Sequence, residues 1–297
     1  MIVKALKEVG DEVRLRSCNQ PLDDIPSGTD LIWHYGDFDH LDQQVNAAEL
    51  ADIPIIINST YDHTADKRQW MIHQAESWSH PRAYWVVFSE EARHDVRLRR
   101  IRDRLVSVPK TIRLHENVDH WKAYGQRRGI CIGELEKLRR ARLVRGMNIQ
   151  EAVDELRTAL PDIPLFCYDQ YSTPATVSFE GVEVVKPEKD MMKFLGSLRL
   201  FVSFTSHETF SMVPCEAQHM GTPVLYRPMP QSLSEHFGMT AYPFTTIDEL
   251  VLGVMKLHED ERLWTLYSTA GCLNAEARSV ASVAPALDLA LRKVIFR

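Results

Sequence analysis

Short apolar runs alternate with longer amphipathic stretches along the whole chain, and this alternation constrains the fold more than any other feature. An apolar run without polar alternation buries as a strand covered on both faces, while the stretch after it needs only one covered face. In the first half the expected strands are Glu12–Arg16, Asp30–His34, Ile53–Asn58, Tyr84–Ser89 and Leu105–Val108. Helices are expected near Leu41–Ala51, Lys67–Ser77 and Glu90–Arg104. A second series places strands at Gly129–Gly133, Ile163–Tyr168, Val182–Val185, Leu198–Phe204 and Pro223–Tyr226. Its helices fall near Asn148–Ala159, Lys189–Ser197, Phe210–Met220 and Thr246–Glu259, and the sequence from Glu261 onward also reads as helical. This is the rhythm of βαβ units in parallel sheets.

With 297 residues the chain suits two cores of about 150 residues each. The polar stretch His115–Arg128 marks the break, giving domains 1–120 and 121–297. The expected class is α/β, with two Rossmann-like domains facing a cleft and a ligand between the carboxyl ends of their strands. The last helix is expected to pack back onto the first domain.

A net charge of −6 gives no overall attraction to DNA or anionic membranes, so any basic surface has to be local. The amino terminus carries charge from Lys4 onward and lacks a signal-peptide apolar run, and nowhere do 18 uncharged apolar residues run together. The five cysteines are scattered without CxxC spacing, which excludes a zinc knuckle or a redox pair. Four of them stand among apolar residues, as buried thiols of a reducing compartment do, and the cytoplasm is the expected location.

The stretch from Leu198 to Val224 carries most of the chemistry. The run Leu200–Phe204 ends in Thr205, Ser206 and His207, a helical stretch follows to Met220, Gly221 stops it, and Pro223 opens the next run. Free backbone N–H groups at such a helix start, reinforced by the macrodipole, attract an anion. Glu208 and Glu216 stand eight residues apart, roughly 12 Å along a helix rising 1.5 Å per residue. One carboxylate at a sugar and one at a ribose fit that spacing, as do a first-turn cap and a solvated surface acid. Glu216 lies within Val213-Pro-Cys-Glu-Ala, whose residues should face inward, where a carboxylate needs a partner such as a ribose diol.

The frame Ser206-x-Glu208-x-Phe210-x5-Glu216-Ala217-x2-Met220-Gly221-x-Pro223-Val224 resembles the E-x7-E signature of retaining GT-B glycosyltransferases. Glu235 falls where such enzymes place a further acid after the PV strand. Gly129-Ile-Cys-Ile-Gly133 resembles the strand and glycine that open their donor domain, while Val86–Ser89 and Val106–Pro109 resemble the last strands of their acceptor domain. The resemblance implies sugar transfer from a nucleotide sugar, UDP- or GDP-linked, to an acceptor hydroxyl with retention. It implies that Glu216 holds the donor ribose and that Glu208, with the backbone of Thr209 and Phe210, holds the sugar, with Ser211 beside them. Gly133, Lys137 and Arg139 would face the diphosphate. No metal and no cofactor beyond the nucleotide-sugar co-substrate are implied; cations and the helix dipole neutralise the leaving group.

Two departures stand out. The family usually places arginine after the glycine matched by Gly133, with lysine a few residues on; this chain has Glu134, then Lys137, Arg139 and Arg140, with Arg139 nearest the lysine position. A solvated helix face reads equally well from Lys137 to Arg142. The family also normally opens with a strand and a glycine-rich loop, whereas Ile2–Val9 reads as a first helix, so the amino-terminal domain is expected to be reduced.

His34 and His63 each follow an apolar run at the cleft side and are candidates to touch donor sugar or acceptor; hydrogen-bonded loop histidines are the plainer reading. Asp37 and Asp62 are weaker acceptor-orienting candidates. Glu90–Leu105 reads as one amphipathic helix, with Leu98, Ile101 and Leu105 apolar and Arg93, Arg97, Arg100 and Arg104 recurring opposite. Residues 89–113 carry an excess of about +4. Such a stripe suits the phosphates of duplex DNA or an anionic membrane surface, or is a face laced by local ion pairs. The small size and basic helix resemble phage-encoded transferases that glycosylate hydroxymethylated DNA bases. An envelope or glycolipid transferase, and a non-catalytic nucleotide-binding relative, are the competing readings.

Overall fold

The computed structural model describes residues 2–14, 25–34, 38, 40–58, 65–112, 114, 122–140, 143–144, 147–169, 179–187, 190–204, 212–228 and 237–296. The first half begins with helix α1 (Ile2–Glu8) and holds four strands: β1 (Ile32–His34), β2 (Ile55–Asn58), β3 (Ala83–Val87) and β4 (Leu105–Ser107). Between them run α2 (Leu41–Leu50), α3 (Ala65–Ser77) and the short α4 (Glu90–Arg93). The strands pair in parallel in the order β1-β2-β3-β4.

Strand geometry sends successive side chains to opposite faces, and β2 shows what each face meets. Ile55 and Ile57 pack with Trp85 and Val87 under α2 and α3, through Leu41, Val45, Met71 and Ala75. Ile56 faces the other way, with Tyr84, Val86 and Val106.

The second half begins with β5 (Ile130–Glu134), α5 (Leu135–Arg140) and a short antiparallel pair, β6 (Leu143–Val144) with β7 (Met147–Asn148). Then come α6 (Ile149–Ala159), β8 (Leu165–Tyr168), β9 (Glu183–Val185), α7 (Met191–Ser197) and β10 (Leu200–Ser203). Next follow α8 (Met212–His219), β11 (Val224–Tyr226), β12 (Tyr242–Pro243), α9 (Ile247–Glu259), α10 (Glu261–Ala277) and α11 (Val280–Ile295). The second sheet is parallel throughout, ordered β12-β11-β10-β5-β8-β9. Helices α6 and α9 cover one face through Val153, Leu156, Leu250 and Val254. Helices α7 and α8 cover the other through Met192, Leu195, Cys215 and Ala217.

Helix α11 leaves the second sheet and returns to the first. Its Val283, Ala284, Leu287, Leu291 and Val294 join Ala5 and Leu6 of α1 on the face presented by Ile56 and Tyr84. The Arg82 guanidinium donates to the Ile295 carbonyl at 2.7 Å, tying the end of α11 to the start of β3.

Two expected elements fail. Glu12–Arg14 forms no strand, and the rest of that expected strand lies outside the described residues. Glu90–Arg104 is not one α-helix: α4 stops at Arg93 and Val96–Arg104 is 3-10 helix, with Ile101 out of helical geometry at φ −119°. The cause is Asp95, whose carboxylate accepts the Arg97 N–H and caps a new turn in the middle of the segment. The helical tail from Glu261 divides at Arg278, and Ser279 caps α11 by accepting the Ser282 N–H. The proposed domain break at 120 lies outside the described residues.

Candidate functional site

In an open parallel sheet a ligand site forms where neighbouring strands send their connections to opposite faces. In the second sheet that point lies between β5 and β10: from β5 the order runs outward to β8 and β9, and on the other side to β10, β11 and β12. The carboxyl end of β5 is built without a long turn. At β5, Cys131 pairs with Phe166 but Glu134 pairs with Tyr168, so the strand carries an extra residue before its end. Gly133 absorbs that bulge at φ +112°, a conformation open to glycine and strained for other residues. Glu134 then closes β5, buried, and Leu135 begins α5 directly.

Across from it, β10 ends in buried Ser203, and buried Phe204 follows. Ser206, His207, Glu208, Thr209, Phe210 and Ser211 lie outside the described residues, and the chain resumes in α8. Helix α8 ends where Gly221 takes φ +69° and the Thr222 N–H donates to the Ala217 carbonyl at 2.9 Å. The Thr222 hydroxyl donates to the Leu195 carbonyl at 2.7 Å, pinning α8 to α7. On α8, Pro214, Cys215, Ala217 and Gln218 are buried. Glu216 sits half-buried among them. No hydrogen bond or ion pair from another described residue reaches its carboxylate, and burial pushes its pKa above the usual carboxylate range. A carboxylate at such a position is stable only where a hydrogen-bond donor reaches it.

The same edge carries charges that sequence reasoning did not single out. Asp169 follows β8, buried, with Lys186 at 3.9 Å. Arg227 follows β11, buried, with its backbone N–H on the Ser203 carbonyl at 3.3 Å. Their positions could have been found from the residue after each apolar run, but that β11 lies beside β10 is a fact of topology. Lys137 and Arg139 belong to α5, while their side chains lie outside the described residues. Gly133, Glu134, Asp169 and Arg227 therefore share the carboxyl edge of the second sheet, and Glu216 stands on the helix that follows β10.

His34 ends β1 of the first sheet and is buried. Its Nδ1 is hydrogen-bonded to the Gln44 Oε1 at 2.7 Å, and its Nε2 is buried without a hydrogen-bond partner. His63, Asp37, Asp62 and Glu235 lie outside the described residues.

The four arginines of the basic segment meet protein partners rather than forming an open row. Arg97 makes a forked pair with Asp95 at 2.7 to 3.1 Å, and Arg100 reaches Glu76 at 2.8 Å. Arg93 lies 3.5 Å from Glu90. Arg104 donates to the carbonyls of His80, Ala83 and Trp78, holding the edge of the first sheet. The continuous helical stripe expected from spacing is absent because Asp95 breaks the helix that would have aligned it.

Among the described residues no group of three His, Cys, Asp or Glu is placed to hold a metal ion, and no helix is long and apolar enough to cross a membrane. No protein-family model matches the chain. No curated protein matches it in sequence. Solved structures do match in shape. TarM superposes with a TM-score of 0.68 at 11% identity over 90% of this chain and 55% of its own. HepE of Anabaena, solved with UDP-glucose, gives 0.65 at 13% identity over 89% of this chain and 79% of its own. The pneumococcal O-GlcNAc transferase GtfA, solved with UDP and GlcNAc, gives 0.63 at 12% identity over 90% of this chain and 57% of its own. The chain thus spans little more than half the length of TarM and GtfA. At these identities the likeness establishes the fold: an α/β chain with parallel sheets, built as two Rossmann-like units of the GT-B kind.

Proposed function

We propose that this chain transfers a sugar from a UDP-linked donor to an acceptor hydroxyl, with retention at the anomeric carbon and without a metal ion. The reading is carried by Glu216, a half-buried carboxylate with no partner among the described residues, standing on α8 beside the switch point of the second sheet. It is supported by two proteins of the same fold solved with UDP-glucose or with UDP and GlcNAc.

In this reading the ribose diol donates to the Glu216 carboxylate, recovering the hydrogen bonds that burial removed. Gly133, lacking a Cβ at the end of β5, lets the backbone approach the diphosphate. Lys137 and Arg139, with the N–H groups preceding α8, face the departing phosphates, and Arg227 adds a buried cation to that edge. Glu208, with Thr209, Phe210 and Ser211, holds the sugar. The glycosidic C–O bond breaks toward UDP, the positive charge spreads over the ring oxygen and anomeric carbon, and the acceptor oxygen enters from the face UDP leaves while its proton passes to the departing phosphate oxygen. His34, fixed through Nδ1 by Gln44, offers Nε2 to a sugar hydroxyl.

Duplex DNA is not the favoured acceptor, because Arg97, Arg100 and Arg104 are engaged within the protein. The experiment is to incubate the protein with UDP-glucose and UDP-GlcNAc and follow release of UDP and the anomeric configuration of the product. Slow release without acceptor, lost in Glu216→Ala together with about tenfold or more in UDP affinity, is expected. UDP binding without any turnover would favour a non-catalytic nucleotide-binding protein, and Glu134 at the usual arginine position would then explain it. No UDP binding at all would overturn both.

A further inference from the structure

The chain passes between its two sheets after β4 and again from α10 to α11. The two passages touch where the Ile112 N–H donates to the Arg278 carbonyl at 2.9 Å. Beside this junction opens a cavity of about 370 Å³, between the carboxyl ends of β3 and β4 and the flank of α11. Among the described residues four basic side chains line it, Arg93, Lys110, Arg278 and Lys293, with one acid, Glu90. In a chain of net charge −6, a local excess of +3 in a concave site is a strong concentration of one sign.

The positions of these groups are set by the fold. The Lys110 ammonium lies over the Phe88 ring, 4.7 Å from its centroid. Glu90 stands 3.5 Å from Arg93, so that acid already faces a cation. Arg93 still keeps a buried Nε without a hydrogen-bond acceptor. Apart from Ser107 the remaining described wall is apolar, from Leu105 and Val106 to Leu289 and Val294. Cations over an apolar wall fit an anion attached to an organic body better than a bare ion. The volume is that of a small-molecule site, and two guanidinium forks with two ammonium groups match the oxygens of a phosphate.

We propose that this cavity binds a small phosphate-bearing organic molecule, at a second site separate from the one that includes Glu216. The proposal does not depend on the glycosyl-transfer reading, since none of the cavity's lining belongs to the second sheet or to α8.

The test is calorimetric titration of the whole protein with glycerol 3-phosphate at low salt, with glycerol as control. Saturable binding of glycerol 3-phosphate alone, weakening with added salt, is expected. Lys293→Glu, at an exposed position, should weaken it by about tenfold or more. Ala290→Phe should abolish it by filling the cavity while leaving every cation in place. UDP affinity should be unchanged in both variants. Absence of glycerol 3-phosphate binding, equal affinity in Lys293→Glu, or competition by UDP would overturn the proposal. So would cosedimentation with phosphatidylglycerol vesicles when the soluble phosphate gives no heat, which would assign the cations to a lipid surface.

Discussion

Glu216 illustrates how a single residue trades stability for readiness. Its pKa is raised in the folded chain because burial penalises the carboxylate. A carboxyl group whose folded pKa lies above its unfolded value costs stability once pH rises through that range, and the cost disappears below the unfolded pKa of about 4.3. Glu216→Gln should therefore melt at the same temperature as the parent or higher at pH 7, with the advantage gone near pH 4, while UDP binding weakens. Thermal melts at both pH values check this, and a parent that is clearly more stable at pH 7 would show that the carboxylate has a partner in the folded chain. The sequence made Glu216 visible because its immediate neighbours are apolar and its spacing from Glu208 fits a known frame. It left Asp169 and Arg227 unremarked because each stands next to the site only once β8 pairs with β5 and β11 pairs with β10.

Elements were legible where burial dictates composition. Ile55–Asn58 and Leu200–Ser203 are covered on both faces, so their sequences carry uninterrupted apolar runs that read directly as strands. The two-residue strands β6, β7 and β12 are too short to carry such a pattern. The basic segment misled for the opposite reason: its arginines recur at α-helical spacing, but a local hydrogen bond from the Arg97 N–H to Asp95 outweighs periodicity and starts a tighter turn. Helix α9 shows the same kind of bond working with the pattern. Thr246 accepts the Glu249 N–H, and the Glu249 carboxylate returns to the Thr246 N–H, closing a capping box ahead of buried Leu250 and Val254. Thr246→Ala should destabilise the protein by about 1 kcal/mol, measured by urea unfolding. No loss would mean that packing on the second sheet alone holds the first turn of α9.

At the scale of the molecule, the two sheets are not independent bodies, since α11 supplies one face of the first sheet's core. Removing residues 279–297 would strip Val283, Leu287, Leu291 and Val294 from Ile56, Tyr84 and Val86. The truncated chain should lose hydrogen-exchange protection across β1 to β4 while β5, β8 and β10 stay protected and UDP still binds. Protection retained in β2 and β3 would show that α1 suffices as cover. The same arrangement has a consequence for biosynthesis. A ribosome finishes β1 to β4 long before it reaches Val280, so the first sheet waits with one apolar face open while the entire second unit is made. The second unit has its strands and covering helices in hand first, which inverts the usual amino-to-carboxyl order of domain folding during translation. Until the last helix emerges, the nascent first sheet is a natural client for a chaperone that shields apolar surface.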